Sequence, residues 1–172
     1  MNEHTQVEIE RKYIIKTPSV ETILGLDGST ESHILQIYLS SEKGVTHRIR
    51  RRTYQDKTLC YETKKIRIDG MSCTEIESEI SPEQFAALSE NIKEGTTPID
   101  KVRYTFTYEG QLFEIDIYPE WQHTAIMETE LATRETTVAF PPFIEIVREI
   151  TGDKAYSNAA MSKSFPPEDR LK

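Results

Sequence analysis

Apolar and polar positions alternate along most of this chain. In Val7-Glu8-Ile9-Glu10-Arg11-Lys12-Tyr13, extended geometry puts Glu8, Glu10 and Lys12 on one side and Val7, Ile9, Arg11 and Tyr13 on the other. The same period of two predicts strands over 7–15, 34–39, 45–52, 58–68, 73–80, 100–108, 111–118 and 125–132, each with β-branched or aromatic residues. Tyr108-Glu109-Gly110-Gln111 reads as a hairpin turn, and Asp69-Gly70 as another in which glycine tolerates a positive φ. Helix signals are few. Ser81-Pro82-Glu83-Gln84 supplies an N-cap, a proline at the first helical position and a capping-box glutamine, and Phe85, Ala86, Leu88 and Ile92 continue an apolar stripe. Short helices are expected after Thr17-Pro18, after Pro141-Pro142 with Phe143, Ile146 and Val147 on one side, and from about 153 to 162. Many strands and few helices predict an antiparallel barrel or a strongly curved sheet, in a single domain over residues 1–172.

The polar faces are charged, strand after strand. Arg48, Arg50 and Arg52 share one face, as do Glu75, Glu77 and Glu79, Lys101 and Arg103, Glu114 and Asp116, and Glu128 and Glu130. The opposite faces are largely apolar. Two structures fit this pattern. In one, the apolar faces form a core and the charges meet water, the usual preference for charged residues. In the other, the charges line a barrel interior and helices cover the apolar outside. A charged interior is costly unless it is wet, internally paired or filled by ligand. The mixture of acidic and basic strands suits a polyphosphate with divalent cations. Arginine and lysine take phosphate oxygens, and clustered carboxylates hold hard ions such as Mg²⁺ or Mn²⁺.

Composition narrows the partners. The net charge of -8 argues against a nonspecific nucleic-acid or anionic-membrane binder. Cys60 and Cys73 form no CxxC pair and read as reduced thiols. No signal peptide and no membrane-length apolar run is visible, so a cytoplasmic protein is expected. His4, His33, His47 and His123 lack metal-site spacing, and no phosphate-loop or nucleophile-elbow motif occurs. Trp121 either stacks on an aromatic part of a substrate or, as loop tryptophans more often do, covers apolar surface. Oligomeric state is not readable from the pattern.

Glu8-Ile9-Glu10-Arg11-Lys12 resembles the Glu-x-Glu-x-Lys signature of the CYTH domain, the triphosphate tunnel metalloenzymes. Further landmarks follow in order: Gln36-Ile37-Tyr38-Leu39, Arg48-Ile49-Arg50, Thr63-Lys64, Glu75-Ile76-Glu77, Lys101-Val102-Arg103-Tyr104, Phe113-Glu114-Ile115-Asp116, Glu128-Thr129-Glu130-Leu131 and Thr151 to Asn158. The resemblance covers residues 7 to about 163 and favours the inward-charged alternative. It implies an α+β, mostly β fold, an eight-stranded antiparallel β-barrel forming a tunnel with helices outside. It implies Lys12, Arg48, Arg50, Lys64, Lys101 and Arg103 as phosphate contacts. Glu8, Glu10, Asp116, Glu128 and Glu130 become metal ligands, with Glu75, Glu77 and Glu114 as further tunnel carboxylates. Lys64 is preferred over Lys65 as inward-facing because it shares parity with Glu62. Lys12 has a second implied role in activating water, which would need a lowered pKa that neighbouring carboxylates oppose and Arg48 and Arg50 favour. Tyr156-Ser157-Asn158 matches a late family motif that helix packing explains as readily as chemistry. The segment Tyr118 to Ala125 departs from the family's usual turn.

The activity so implied is divalent-metal-dependent hydrolysis of a small triphosphate, inorganic triphosphate first, to diphosphate and phosphate. A class IV adenylate cyclase and a noncatalytic polyphosphate- or nucleotide-binding module are the alternatives.

Overall fold

The computed structural model describes residues 3–171, with side chains described from Val7 onward, so His4's side chain lies outside the described residues. Eight antiparallel strands close into a barrel: β1 (Glu3–Lys16), β2 (Thr30–Leu39), β3 (Val45–Tyr54), β4 (Lys57–Arg67), β5 (Ser72–Ile80), β6 (Ile99–Tyr108), β7 (Gln111–Ile117) and β8 (Thr124–Glu130). Their order around the wall is β5-β4-β3-β2-β6-β7-β8-β1, and pairing of β1 with β5 closes the ring. Closure removes the exposed edges of an open sheet. All eight expected strands form, lengthened at several ends.

β1 is the seam. Its first half pairs with β5, from Glu3 opposite Ser78 to Ile9 opposite Ser72, and its second half pairs with β8, from Glu10 opposite Glu130 to Lys16 opposite Thr124. Where β5 leaves, the backbone of β1 needs new partners. β9 (Ile146–Glu149) supplies them antiparallel at Tyr13 to Ile15, and Ile150 N–H then donates to the Lys12 carbonyl at 2.8 Å. This overturns the helix expected after Pro141-Pro142. The apolar spacing of Phe143, Ile146 and Val147 fits either period over so short a run, and the open edge of β1 selects the strand.

Helices are short. α1 (Val20–Leu24) follows Thr17-Pro18, and α2 (Pro82–Ser89) begins with the expected capping box at Ser81 and Gln84. The stretch expected to be helical near 153–162 is divided into a 3₁₀ turn (Lys154–Tyr156) and α3 (Asn158–Met161). Among the described residues, no helix is long and apolar enough to cross a membrane.

The apolar faces lie outside, as the inward-charged alternative requires. Tyr13, Ile15, Phe106, Phe113, Ile115 and Met127 form one outer cluster, and Ile37, Leu39, Ile49, Cys60 and Ile80 form another beneath Phe85 of α2. A third cluster differs in kind. Ile14, Ile99, Tyr118 and Ile126 carry the inward parity of Lys12, Lys101, Asp116 and Glu128, so the interior turns apolar at one level. Tyr156, Met161 and Leu171 from the C-terminal segment pack onto that level. Trp121 joins them, 4% exposed, with edge contacts to Tyr118 and Phe165 and its indole N–H donating to the Pro166 carbonyl at 2.9 Å. It covers apolar surface.

Two turns carry the loop chemistry. Glu109 and Gly110 both have positive φ, 46° and 77°, the geometry of a two-residue hairpin that follows strand twist. At Asp69-Gly70 the turn forms for another reason than the expected positive φ. The Asp69 carboxylate accepts the N–H groups of Met71 and Ser72 at 2.8 and 2.9 Å, while Gly70 keeps an ordinary φ. The strained partner is Gly152, φ 76°, where an added Cβ would sit 3.0 Å from the Gly70 carbonyl. Gly152→Ala should therefore lower the thermal midpoint by about 2–4 °C, the shift for ~1 kcal/mol in a chain of this size, and Gly70→Ala should leave it nearly unchanged. Equal effects of the two substitutions on thermal unfolding would contradict this account of the contact.

Candidate active site

Inward parity gathers one set of side chains from nearly every strand. Glu8, Glu10 and Lys12 of β1, Arg48 and Arg50 of β3, Lys65 of β4, Glu75 and Glu77 of β5, Arg103 of β6, Glu114 of β7, and Glu128 and Glu130 of β8 line a cavity of about 700 Å³. The charges are paired through the lumen and across skipped strands. Lys12 Nζ lies 2.6 Å from Glu128, and Lys65 Nζ lies 2.8 Å from Glu75 and 3.1 Å from Glu8. Arg50 bonds Glu77, whose carboxylate also accepts from Thr63 Oγ1 at 2.8 Å. Arg48 approaches Glu75 at 3.7 Å. Arg103 grips Asp116 with Nε and Nη2 at 2.7 and 2.8 Å and pairs with Glu114 through Nη1.

The acids are distributed unevenly. On the wall formed by β1, β8 and β7, Glu10 sits directly opposite Glu130, and Glu114 directly opposite Glu128. Like charges at such positions repel. On the wall formed by β3, β4 and β5, the cavity-lining acids Glu75 and Glu77 each face a base.

The chain is similar to known proteins along nearly its whole length. The chain is 32% identical over 162 residues to the inorganic triphosphatase of Nitrosomonas europaea, covering 92% of this chain and 99% of that one. The chain belongs to the CYTH family, the triphosphate tunnel metalloenzymes. It is 30% identical to the inorganic triphosphatase of Acetivibrio thermocellus, over 91% of this chain and 94% of the other. A crystal structure of an inorganic triphosphatase superposes with a TM-score of 0.59 at 28% identity, covering 92% of this chain and 96% of that one. No protein-family model matches the chain.

Within the CYTH barrel, depth sorts the residues expected from sequence. Nearest the apolar level lie Lys101 and Asp116, with side chains 1% and 2% exposed and 2.6 Å apart. They form a dry ion pair behind the cavity wall rather than part of it. Asp116 is held well below its ordinary value: burial opposes ionisation, but Arg103 and Lys101 outweigh it. Lys101 is pulled down too, to about 8, because burial and the neighbouring Arg103 outweigh Asp116. Both shifts agree with Arg103 taking the larger share of the Asp116 charge through its two-point fork. Arg48 and Glu75 are also buried, Glu8, Glu10, Lys12, Arg50, Glu77, Arg103, Glu114 and Glu128 are half-buried, and Glu130 is exposed.

The choice between Lys64 and Lys65 reverses. Arg48 stands opposite Thr63, and residues in register share a face, so Tyr61, Thr63 and Lys65 point inward. Lys64 does share the parity of Glu62, but that face is the outer one, and Lys64 is exposed. Sequence reading also passed over Lys93, Lys154, Lys163 and Asn158, all of which border the cavity. Asn158 Oδ1 accepts from Tyr118 Oη at 2.8 Å. The late motif containing Asn158 was the available signal. Lys154 lies in the same motif, whereas the isolated Lys93 and Lys163 gave none.

Ionisation follows the uneven pairing. Burial pulls Lys12 down, but Glu128 and Glu10 together push it above its ordinary value, so it is a cation at neutral pH. Glu128 is lowered to about 2, since Lys12 and Arg103 overcome the cost of burial. Glu10 is raised, first by Glu128 and then by burial. Burial, with neighbouring acids, also raises Glu114 and Glu130. Among the described residues, no group of three or more histidine, cysteine or acidic side chains is already drawn together as a metal cage. The donor type nevertheless fits Mg²⁺ or Mn²⁺, being all-oxygen and anionic.

These shifts set a two-sided pH dependence. Glu128, depressed from its ordinary 4.5 to about 2, gives stability that is present above pH 4.5 and lost as pH falls toward about 2. Glu10, raised, has the opposite sign: its charge costs stability at neutral pH, and protonation on acidification relieves that cost. In chelator, the thermal midpoint should rise slightly on acidification from neutrality and then fall below about pH 4.5. Glu10→Gln should raise the neutral-pH midpoint by about 2–4 °C, for ~1 kcal/mol of relieved repulsion, and flatten the rising limb. A midpoint lowered at neutral pH by that substitution would show that attraction to Lys12 and Lys65 dominates at Glu10 instead.

Proposed function

We propose that the protein hydrolyses inorganic triphosphate to diphosphate and phosphate in a divalent-metal-dependent reaction. The observation that carries this reading is the division of one cavity into an under-neutralised acidic wall and a base-bearing wall. A polyanion alone would be repelled by Glu10, Glu114, Glu128 and Glu130. A cation alone would leave Arg48, Arg50 and Lys65 unused. A triphosphate with its metal satisfies both. Glu8, Glu10, Glu128 and Glu130 would hold Mg²⁺ or Mn²⁺, which when bound would supply charge neutralisation and a polarised water.

The chain's own groups then have distinct tasks. Arg48 and Arg50 each keep a buried Nε that is without a hydrogen-bond partner, so both guanidinium groups have donors to spare for phosphate oxygens. Arg103 is oriented by Asp116, which makes Asp116 and Lys101 positioning residues rather than ligands. Lys65 takes the phosphate-binding role first assigned to Lys64. Lys12, charged and paired with Glu128, serves as a phosphate contact. A role for it as proton acceptor would require its carboxylate neighbours to be engaged elsewhere. Positioned cations stabilise the charge that spreads over the transferring phosphoryl group, the main source of acceleration in such reactions. The free thiols of Cys60 and Cys73 accord with a reducing cytoplasm.

Purified protein should release phosphate from inorganic triphosphate when Mg²⁺ or Mn²⁺ is added and not in chelator. Arg48→Ala and Glu128→Gln should each lower kcat/KM about a hundredfold or more, ~2.7 kcal/mol of transition-state stabilisation. Lys65→Ala should raise KM about tenfold and Lys64→Ala should change nothing. Cyclic AMP from ATP as the main product, or metal-dependent binding without turnover, would overturn the reading.

A further inference from the structure

The β4–β5 turn and the segment that follows β8 meet at the seam of β1, where successive residues of β1 bond to opposite sides. The Ile9 carbonyl accepts from the Leu131 N–H at 2.7 Å. The Glu10 N–H donates to the Met71 carbonyl at 3.3 Å, longer than the usual distance of about 2.9–3.0 Å. Met71 belongs to the turn that the Asp69 carboxylate closes, and it packs on the outer cluster that also holds Leu131. One side chain spans the two sides. Arg134 sits in a turn in which Thr136 Oγ1 accepts from the Thr133 N–H at 3.2 Å. Its Nη2 bonds the second oxygen of Asp69 and donates to Ser72 Oγ at 2.7 Å. Ser72 is buried and stands opposite Ile9. The segment that carries Arg134 is itself anchored, at Leu131 by the outer cluster and further on by Gln111, which donates to the Thr137 carbonyl and accepts from the Ala139 N–H. The guanidinium therefore joins two anchored segments. Asp69 and Arg134 both lie outside the cavity lining.

As a surface ion pair this contact adds little to stability, since the Arg134 and Asp69 side chains are 46% and 39% exposed. Its place gives it another effect. Glu10 stands directly opposite Glu130, where like charges push the strands apart. Arg134 follows Glu130 closely in the chain and Asp69 precedes Met71, so attraction between them opposes that separation. Resting on the metal-dependent reading above, we propose that Arg134 is a positioning residue: by tying the β4–β5 turn to the segment after β8, it clamps the seam of β1 and sets the affinity for Mg²⁺ or Mn²⁺ at Glu10 and Glu130. It touches neither the ion nor the substrate. Both of its bonds leave one nitrogen, so a lysine ammonium at the same position can make them too.

The test compares wild type with Arg134→Ala, Arg134→Lys, Asp69→Asn and the Arg134→Ala/Asp69→Asn double variant. Thermal midpoints check that all are folded. In chelator, the Glu10 amide hydrogen should exchange about fivefold faster in Arg134→Ala, while that of Ile115, in the middle of β7, stays within about twofold. In calorimetry without substrate, the Kd for Mg²⁺ should rise about fivefold. At saturating Mg²⁺, kcat on inorganic triphosphate should stay within about twofold of wild type. Arg134→Lys should bring exchange and affinity back to within about twofold, and the double variant should be no weaker than Arg134→Ala alone. Unchanged exchange and affinity in Arg134→Ala would overturn the inference. So would a lower kcat at saturating Mg²⁺ with unchanged affinity, or free-energy losses in the double variant equal to the sum of the single ones. If wild type neither binds Mg²⁺ nor releases phosphate, the proposed function fails, while faster exchange of the Glu10 amide in Arg134→Ala would still support the clamp and unchanged exchange would still refute it.

Discussion

Charge inside a barrel has to be neutralised by something, and in this protein most of that neutralisation is done by the walls themselves. Taking a carboxylate or a guanidinium out of water costs several kcal/mol, and leaving one such group unpaired costs about 3–5 kcal/mol. The barrel meets that constraint by bonding between strands that are not neighbours. Lys65 on β4 reaches past β5 to Glu8 on β1, and Arg50 on β3 reaches past β4 to Glu77 on β5. Arg103 gathers Asp116 and Glu114 from β7 and faces Glu128 on β8 at 3.9 Å. These bonds fix rotamers across the lumen, so the groups proposed to contact phosphate are held in place by the barrel itself.

The neutralisation is incomplete on one side, the side to which the proposed metal site is assigned. Glu10 is raised by Glu128 and then by burial, and Glu114 and Glu130 by burial and then by neighbouring carboxylates, whereas Glu75, Asp116 and Glu128, engaged by bases, are lowered. A fold optimised for stability alone would replace one glutamate of each facing pair. Keeping both stores repulsion at a cost in stability, which the proposed cation would release. The dry Lys101–Asp116 pair marks the inner limit of this region. Beyond it the interior becomes Ile14, Ile99, Tyr118 and Ile126, packed by the C-terminal residues.

Much of this was legible in the alternation of the chain, and the failures have physical causes. Strand positions followed from period two because each strand has one apolar face. Which face points inward did not follow, since charged residues usually face water; only the ordered signature reversed that preference. Lys64 and Lys65 show the limit most clearly. Both faces of β4 are polar there, Glu62 and Lys64 against Thr63 and Lys65, so the choice rests on the register with Arg48, a nonlocal fact. The segment 146–149 failed for a related reason: its strand character comes from the vacant edge of β1. Burial depth was equally hidden, so Lys101 and Asp116, with the same parity as Arg103 and Glu114, could not be told apart from residues on the wet wall.

The seam in β1 explains why the signature lies where it does. Glu8 belongs to the half of β1 that pairs with β5, opposite Cys73, while Glu10 belongs to the half that pairs with β8, opposite Glu130. Two glutamates only two residues apart therefore address different walls, one rich in bases and one rich in acids. Lys12 follows on the β8 side, where its backbone N–H is met by Thr151 Oγ1 at 3.0 Å and its carbonyl by Ile150, so neither is left open as the strand changes partner. A strand paired throughout with the same neighbours would place all three charges against one wall. The change of partners at residues 9 and 10 lets five residues join the base-bearing half of the cavity to its acidic half, and residues 150–151 stabilise the point of the seam at which Lys12 is held.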